Sequence, residues 1–394
     1  MAEMTAADAG GTTGRYLVLL EDDSAVAGSR EMTRVAGIRT WSTADVGAEA
    51  ETGGLDGMIL HELGIAVVTA DESQVRALAR AAGEPGPIAL IEPERTVFAI
   101  EPSAPAIVEA ETDESTFTWG LQAVGAPNST ATGEGIRVAV LDTGFDLAHP
   151  DFVGRTIVPK SFVQGEEVQD GHGHGTHCIG TSCGPREVAD GPGYGIAYKA
   201  EIYAGKVLSN KGSGADGGIL QGISWAISSG CSVVSMSLGA PTTPGQAYSR
   251  TFEKAALRAL SRGTLIVAAA GNESERPGVI NPVGHPANCP SILAVGAIDV
   301  HGAIARFSCG TVDPTSSVDL VGPGVDVYSS WPLPLRNRRI SGTSMATPHT
   351  AGIAALIAQA TGARAYELWA RLGQTAKRLP LVSTDVGSGM VQAP

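Results

Sequence analysis

The sequence predicts an α/β protein in which a parallel sheet carries helices on both faces and is preceded by a small α+β domain. From residue 138 onward, short apolar segments alternate with helical ones, which is typical of a parallel sheet covered on both sides. The first hundred residues follow a different order of elements. A length of 394 residues also exceeds the usual size of one domain, so two structural units are expected.

The small domain is predicted from five segments with strand or helix patterns. Apolar runs predict strands over 16–20, 58–68 (as one strand or two) and 88–91, and amphipathic patterns predict helices over 25–35 and 73–82. This order is a split β-α-β-β-α-β plan, as in ferredoxin-like domains. We therefore expect four segments: a disordered tail (1–14), the small domain (15–101), a linker rich in Pro, Glu, Ser and Thr (102–118) and a large domain (119–394).

The large domain is predicted from apolar strands that alternate with helices. Strands are expected over 138–141, 202–207, 233–236, 265–269 and 292–295, with helices over 218–227 and 252–261 between some of them. In such a sheet, functional groups lie outside the carboxyl ends of the strands. Asp142 and Asn272 each follow a predicted strand, so we expect both residues in a functional site.

Three motifs carry residues suited to nucleophilic catalysis. Ser344 lies in Ser-Gly-Thr-Ser-Met-Ala-Thr-Pro-His (341–349), Asp142 in Val-Ala-Val-Leu-Asp-Thr-Gly (138–144) and His174 in Gly-His-Gly-His-Gly-Thr-His (171–177). A serine hydroxyl needs a base to remove its proton, and a buried carboxylate can orient that base. Taken singly, Asp142 could be a turn residue and Ser344 a helix N-cap.

Together with Ala-Ala-Ala-Gly-Asn (268–272), these motifs resemble the subtilisin family of serine proteases (subtilases) in residue type and in the order Asp, His, Ser, from Trp119 to the end of the chain. The resemblance implies a subtilisin-like fold and a serine endopeptidase that forms an acyl-enzyme without a cofactor. Asp142, His174 and Ser344 would form the catalytic triad. The Asn272 side chain and the Ser344 backbone N–H would stabilise the oxyanion.

The same resemblance implies how substrate binds. In the family an extended peptide is added between two edge segments, which correspond here to Gly212-Ser213-Gly214 and Ser237-Leu238-Gly239. Gly284 corresponds to the floor of the main specificity pocket. A glycine floor leaves depth, so an aromatic or long aliphatic side chain is expected before the scissile bond.

The small domain resembles the inhibitor-type propeptide of subtilisins. The resemblance implies an autoprocessed zymogen whose N-terminal domain is both a folding template and an intramolecular inhibitor, with self-cleavage in the linker. An unrelated small α+β domain is the alternative.

Metal binding is predicted at one residue and considered at a histidine cluster. His149-Pro150-Asp151 resembles a family segment in which the aspartate binds structural calcium, although the loop 184–195 departs from the family pattern. His172, His174 and His177 could instead indicate a zinc metallohydrolase, but they lack helical i, i+4 spacing with a general-base glutamate. A catalytically silent peptide-binding protein on the same fold is a further alternative.

Composition limits the partners. A formal net charge of -14 argues against nucleic acid and anionic membrane surfaces as partners. The resemblance to subtilisins implies protein or peptide substrates, and a monomeric protein is expected. No segment has the roughly 18 to 20 continuous apolar residues of a membrane span. The first residues lack a basic and an apolar signal region, which predicts a cytoplasmic location, or a secreted one if a signal lies upstream. The five cysteines are expected as buried thiols.

Overall fold

The computed structural model describes residues 11–45, 55–100 and 112–394. Its first unit is a mainly antiparallel sheet with the strand order β5-β1-β4-β3-β2, in which β2 and β3 alone run parallel. The elements of this unit are β1 (Thr12–Leu20), α1 (Ala25–Ala36), β2 (Thr40–Ser42), β3 (Gly57–Leu60), β4 (Ile65–Thr69), α2 (Glu72–Ala82) and β5 (Ile88–Ala99).

Both faces of this first sheet are buried. Val18 and Leu20 pack with Met32 of α1 and Leu78 of α2. Leu17 and Leu19 point the other way, into an apolar cluster shared with the second unit. Because side chains alternate along a strand, β1 joins its own helices on one side and the second unit on the other.

Two segment boundaries differ from the prediction. Strand β1 begins at Thr12, inside the predicted tail 1–14, because Thr12 pairs with Arg95 of β5. The end of the predicted linker also has structure, since the Thr118 N–H donates to the Gly193 carbonyl at 3.0 Å. Residues 1–10 of the predicted tail and 102–111 of the predicted linker lie outside the described residues.

The second unit is built on a seven-stranded sheet in which every strand runs parallel, in the order β14-β13-β12-β10-β6-β8-β7. Its elements are α3 (Trp119–Ala123), β6 (Arg137–Asp142), β7 (Ile157–Ser161), α4 (His174–Cys183), β8 (Glu201–Lys206), β9 (Ser213–Ala215), α5 (Asp216–Ser228), β10 (Val233–Met236), β11 (Leu238–Gly239), α6 (Arg250–Ser261), β12 (Leu265–Ala269), β13 (Leu293–Ile298), β14 (Leu320–Pro323), β15 (Val327–Ser330), β16 (Asn337–Ile340), α7 (Thr343–Thr361), α8 (Ala365–Thr375) and α9 (Ser383–Val386).

Helices cover both faces of the parallel sheet, as predicted. Val138 and Val140 of β6 face a core shared with α4 and α7. Ala139 and Leu141 face the opposite core, which they share with α5 and α6. The next residue, Asp142, ends β6 at the carboxyl edge of the sheet. The predicted α/β fold with a parallel sheet is therefore confirmed.

Two further features concern the whole of the described chain. All five cysteines are buried and unbridged: Cys178, Cys183, Cys231, Cys289 and Cys309. Among residues 11–45, 55–100 and 112–394, every helix is too short or too polar to cross a bilayer.

Candidate active site

Three elements bring the predicted catalytic residues to one place. Asp142 is the last residue of β6, His174 the first residue of α4 and Ser344 the second residue of α7. Both helices start at the carboxyl edge of the parallel sheet, and α4 packs directly against α7. All three side chains are buried, with at most 1% of any residue exposed.

The histidine is held by the aspartate. His174 Nδ1 lies 2.8 Å from Asp142 Oδ1, and the same oxygen accepts the Thr143 backbone N–H at 2.7 Å. A carboxylate can only accept, so Nδ1 carries a proton, and in the neutral imidazole Nε2 presents its lone pair. Among the described residues Nε2 has no hydrogen-bond partner. The imidazole therefore has the tautomer that a general base requires.

The serine hydroxyl contacts a segment of the N-terminal unit. Ser344 Oγ lies 3.1 Å from the carbonyl oxygen of Ile100 and 3.3 Å from that of Ser237. The structure thus shows the aspartate–histidine contact, and it shows the serine hydroxyl directed at a peptide carbonyl. The hydroxyl is not hydrogen-bonded to His174 in this arrangement.

Asn272 follows β12 and faces the start of α7. Its Oδ1 accepts the backbone N–H and the Oγ1 hydroxyl of Thr343, both at 2.9 Å. These two bonds fix which way the amide points, because only its oxygen can accept. Its Nδ2 would lie 2.9 Å from a Cβ placed on Gly342. The glycine therefore gives the amide nitrogen the space it needs next to Ser344.

A second carboxylate, which the sequence motifs did not single out, joins the segments that carry Asp142 and His174. Buried Asp170 accepts the Thr143 hydroxyl, the backbone N–H groups of His172 and Gly173, and both the N–H and the hydroxyl of Thr176, at 2.7 to 3.0 Å. Burial acts to raise its pKa, but these hydrogen bonds hold the pKa below its usual value. Its position four residues before His174, in a glycine-rich turn, was the available signal.

Electrostatics favour the protonated form of His174. Burial acts to lower its pKa, but the Asp142 carboxylate, with a smaller contribution from Cys178, raises the pKa well above the usual 6.5. The Cys178 thiol lies 3.9 Å from Nδ1. An imidazole of raised pKa is a stronger base once it is deprotonated.

Activity should therefore rise with pH. His174 must be neutral to accept a proton, and its neutral form is populated only above its raised pKa. We expect kcat/KM on a peptide substrate to climb about tenfold per pH unit on the acid side, with a midpoint above pH 6.5. Initial rates measured from pH 5 to 10 at constant ionic strength would show this. A profile independent of pH, or a midpoint well below 6, would contradict it.

The two predicted edge segments enclose the end of β5. Strand β9 pairs with β5 from one side and β11 from the other, both antiparallel. The Ala99 N–H donates to the Gly212 carbonyl at 2.7 Å, and the Ile100 N–H donates to the Ser237 carbonyl at 3.3 Å. Val97 is the register partner of Gly214. The chain up to Ile100 therefore lies as a middle strand in the groove.

The remaining members of the two edges support this arrangement. Ser213 pairs with Phe98, and Leu238 pairs with Ala99. A Cβ on Gly239 would lie 3.7 Å from Ile100 Cδ1, which places this glycine at the wall beside the Ile100 side chain.

The predicted pocket floor lies behind this wall. The Gly284 N–H donates to the Ala270 carbonyl at 2.9 Å, and a Cβ on Gly284 would come within 2.9 Å of the Ala240 carbonyl oxygen. A side chain at position 284 would therefore collide with the backbone that follows β11.

The three histidines of the 171–177 motif do not converge on a metal. His177 Nε2 faces the carbonyl oxygens of Val327 and Arg338 at 3.1 and 3.2 Å, and burial lowers its pKa to about 3. Within the described chain, the one group of His, Cys and acidic side chains close enough to share an ion is Asp142, His174 and Cys178. The zinc interpretation is therefore not favoured.

The aspartate predicted as a calcium ligand is occupied by protein groups. Asp151 Oδ1 accepts from Arg336 Nη2 at 2.7 Å, and Oδ2 accepts from the Tyr194 hydroxyl at 2.8 Å. The carboxylate is 4% exposed. The guanidinium lies where a cation would have to approach, so Asp151 does not fit a calcium site. The loop 184–195, which contains Tyr194, contributes a hydroxyl here, and the sequence pattern gave no indication of Arg336.

An imidazole oriented by a buried carboxylate, beside a serine at the start of a helix, defines the class of serine hydrolases. Comparison with known proteins identifies the family within this class. Residues 133–389 match the family model described as Subtilase family. Subtilisin Savinase of Lederbergia lenta is 41% identical over 281 residues, covering 70% of this chain and 96% of that protein. An alkaline protease of Alkalihalobacillus alcalophilus is 40% identical over 301 residues, 73% of each chain.

A further relative is less similar in sequence but matches over a comparable length. The cuticle-degrading protease of Metarhizium anisopliae is 36% identical over 279 residues, covering 67% of this chain and 66% of that protein. The chain belongs to the subtilase family, and it is a serine-type endopeptidase. Neither the catalytically silent binding protein nor the zinc metallohydrolase is favoured.

Proposed function

We propose that the chain is a self-processing zymogen in which Ser344 is the nucleophile. Ser344 Oγ attacks the carbonyl carbon of the scissile bond while His174 Nε2 takes the hydroxyl proton. His174 then gives that proton to the leaving amine, and water hydrolyses the acyl-enzyme by the reverse sequence. Asp142 holds the imidazole in the required tautomer. These steps use groups of the protein and water, without a cofactor.

The oxyanion of each tetrahedral intermediate would be stabilised by two donors. The Ser344 backbone N–H lies in the first turn of α7, where amides have no partner within the helix. The Asn272 amide is oriented by Thr343 and stands next to Gly342. Removal of one such donor usually costs about 100- to 1000-fold in kcat. We therefore expect the Asn272 amide to contribute more to kcat than any contact remote from the reacting carbonyl.

One observation carries the zymogen proposal: the carbonyl oxygen of Ile100 lies 3.1 Å from Ser344 Oγ. With Thr96 to Ile100 bound between β9 and β11, the Ile100 carbonyl occupies the position of the substrate carbonyl that Ser344 would attack. We place self-cleavage at this bond, just before the linker 102–118 in which the sequence predicted it. The N-terminal unit thereby acts as the first substrate and then as an inhibitor.

Contacts outside the groove support an inhibitory role. Strand β5 presents carboxylates to two helix N-termini: Glu94 accepts the Gly217 N–H of α5 at 2.9 Å, and Glu92 accepts the Arg250 N–H of α6 at 3.0 Å. Carboxylates at these positions satisfy free amides and interact well with the helix dipole. Asp22 also pairs with Arg258 at 2.7 Å. We propose that this docked unit also templates the slow assembly of the parallel sheet.

The cleavage site is the direct test. Purified chain should convert into two fragments, one ending at Ile100 and one beginning at Glu101, because Ile100 is the residue of the bound strand β5 whose carbonyl lies against Ser344 Oγ. Intact-mass spectrometry during expression and incubation would identify both ends. A first cut between residues 112 and 118, or a chain that remains uncleaved at every pH tested, would contradict cleavage after Ile100.

The same geometry suggests the preferred substrate. The Ile100 side chain is buried against the Gly239 wall, so we propose that a large apolar residue before the scissile bond is favoured. We further propose that the processed enzyme acts as a monomer.

Location is a separate proposal. The cytoplasmic location expected from the N-terminal residues gains no support from the relatives. One relative is named for degrading cuticle, an external material, so we favour the secreted alternative.

A further inference from the structure

A buried carboxylate lies beyond the end of the substrate groove and contacts the strand that occupies it. Asp216, the first residue of α5, is 2% exposed. Its Oδ2 accepts the backbone N–H of Arg95 at 3.1 Å. Counted back from the bond after Ile100, Arg95 is the sixth residue on the N-terminal side.

The position of this contact follows from where the edge strand stops. Pairing between β9 and β5 ends with Ala215 opposite Thr96. The chain then turns into α5, so the backbone of Asp216 is no longer available to a bound strand. The Asp216 side chain takes over the accepting role and extends the edge by one residue.

Asp216 is held by a histidine from the opposite wall of the groove. His285 Nε2 lies 3.0 Å from Asp216 Oδ1, and both side chains are at most 2% exposed. The His285 backbone exchanges two 2.9 Å hydrogen bonds with Ala240, next to β11. Its ring packs edge-on against Phe252, with 4.7 Å between centroids. The pair therefore joins the two walls and holds the other carboxylate oxygen, Oδ2, against the Arg95 N–H.

A purely structural role does not account for the geometry. An acidic residue in the first turn of a helix commonly satisfies the helix amides. Within the described residues, however, the hydrogen bonds of Asp216 go to Arg95 and His285, and the nearby Gly217 amide is satisfied by Glu94 instead.

We propose that Asp216 is a substrate-binding residue that recognises the main-chain N–H of the sixth residue before the scissile bond, with His285 as its positioning residue. This inference rests on the proposed function, since it takes β5 as the guide to how substrate binds. It predicts that the enzyme distinguishes substrates by main-chain length and by the presence of one amide hydrogen, whatever the side chain there.

Two peptides test this. Both carry the sequence of residues 92–100 before the scissile bond, but in one an ester oxygen replaces the N–H at the position of Arg95. Mass spectrometry first confirms that both are cut after the same isoleucine. For the native, self-processed enzyme we expect kcat/KM to be about tenfold lower for the ester, since hydrogen bonds to charged groups are among the stronger ones.

Variants test whether the Asp216 carboxylate causes the difference in kcat/KM between the two peptides. Asp216→Ala should treat the two peptides alike within about twofold, and Asp216→Asn, which keeps a neutral acceptor, should keep part of the difference. His285→Phe should reduce the ratio by loosening Asp216. Asp190→Asn changes an exposed carboxylate that pairs with Arg336, so it should keep the full native ratio and controls for preparation.

The outcomes distinguish a failure of the proposed subsite from a failure of the proposed function. Equal rates for both peptides with native enzyme, or an undiminished ratio in Asp216→Ala, would overturn the subsite while leaving the protease intact. If native protein and Ser344→Ala are equally inert toward both peptides, the proposed function fails, and the subsite fails with it.

Discussion

Replacement of Ser344 by alanine should leave the chain at its full 40.2 kDa and abolish peptide hydrolysis. The hydroxyl is the only group that the structure places against the Ile100 carbonyl as a nucleophile within the described chain. We expect kcat to fall about 10⁶-fold, the loss seen when a subtilisin loses its nucleophile. Gel mobility and intact mass would report processing, and a fluorogenic peptide would report turnover.

A matched serine controls for effects on folding. Ser341 lies three residues earlier in the same turn, and its Oγ accepts the Asp326 N–H at 2.9 Å without contacting the groove strand. Ser341→Ala should therefore still process itself. Self-cleavage by Ser344→Ala at a native rate would remove this serine as the nucleophile.

Replacement of Asp142 by asparagine should have the second largest effect and should also change the pH profile. An amide cannot hold the Nδ1–H tautomer as a carboxylate does, so we expect kcat to fall about 10⁴-fold. The variant also loses the charge that raises the pKa of His174, while burial continues to lower that pKa. The acid limb of the residual activity should accordingly move to lower pH.

Residual rates on a reactive ester substrate, measured from pH 5 to 10, would show both effects at once. Thermal unfolding and circular dichroism would confirm that the variant is folded. An unchanged acid limb of the pH–rate profile in Asp142→Asn would mean that a group other than His174 controls the pH dependence of activity. An unchanged rate would exclude Asp142 from the triad.

The sequence predicted the parts of the fold that local patterns determine. Strands β10 and β12 have the predicted bounds because both are buried apolar runs with clear ends. Strand β5 was predicted to stop at Ile91 but continues to Ala99. Its second half contains Pro93 and charged residues. It is a strand because Glu92, Pro93 and Arg95 pair with β1 and residues 96–99 pair with β9 and β11, which no local pattern shows.

The candidate site likewise contains residues that the sequence predicted and contacts that it did not. Asp142, His174, Ser344 and Asn272 were singled out because their chemistry and spacing form a recognisable set. The Arg336 guanidinium against Asp151, in contrast, joins residues 185 positions apart. Contacts between such distant residues depend on the finished packing, and single motifs carry no trace of them.

The position of Ile100 implies that cleavage of the chain and release of the N-terminal fragment are two separate events in the proposed zymogen. Once the bond after it is broken, the new carboxyl end still sits against the serine, and the rest of the amino-terminal fragment keeps every contact with the helices beneath it. In the proposed zymogen, cleavage therefore leaves the fragment bound in the groove, so a delay is expected between the appearance of two fragments and the first turnover of any other peptide. The length of that delay would be set by how quickly the fragment leaves or is digested.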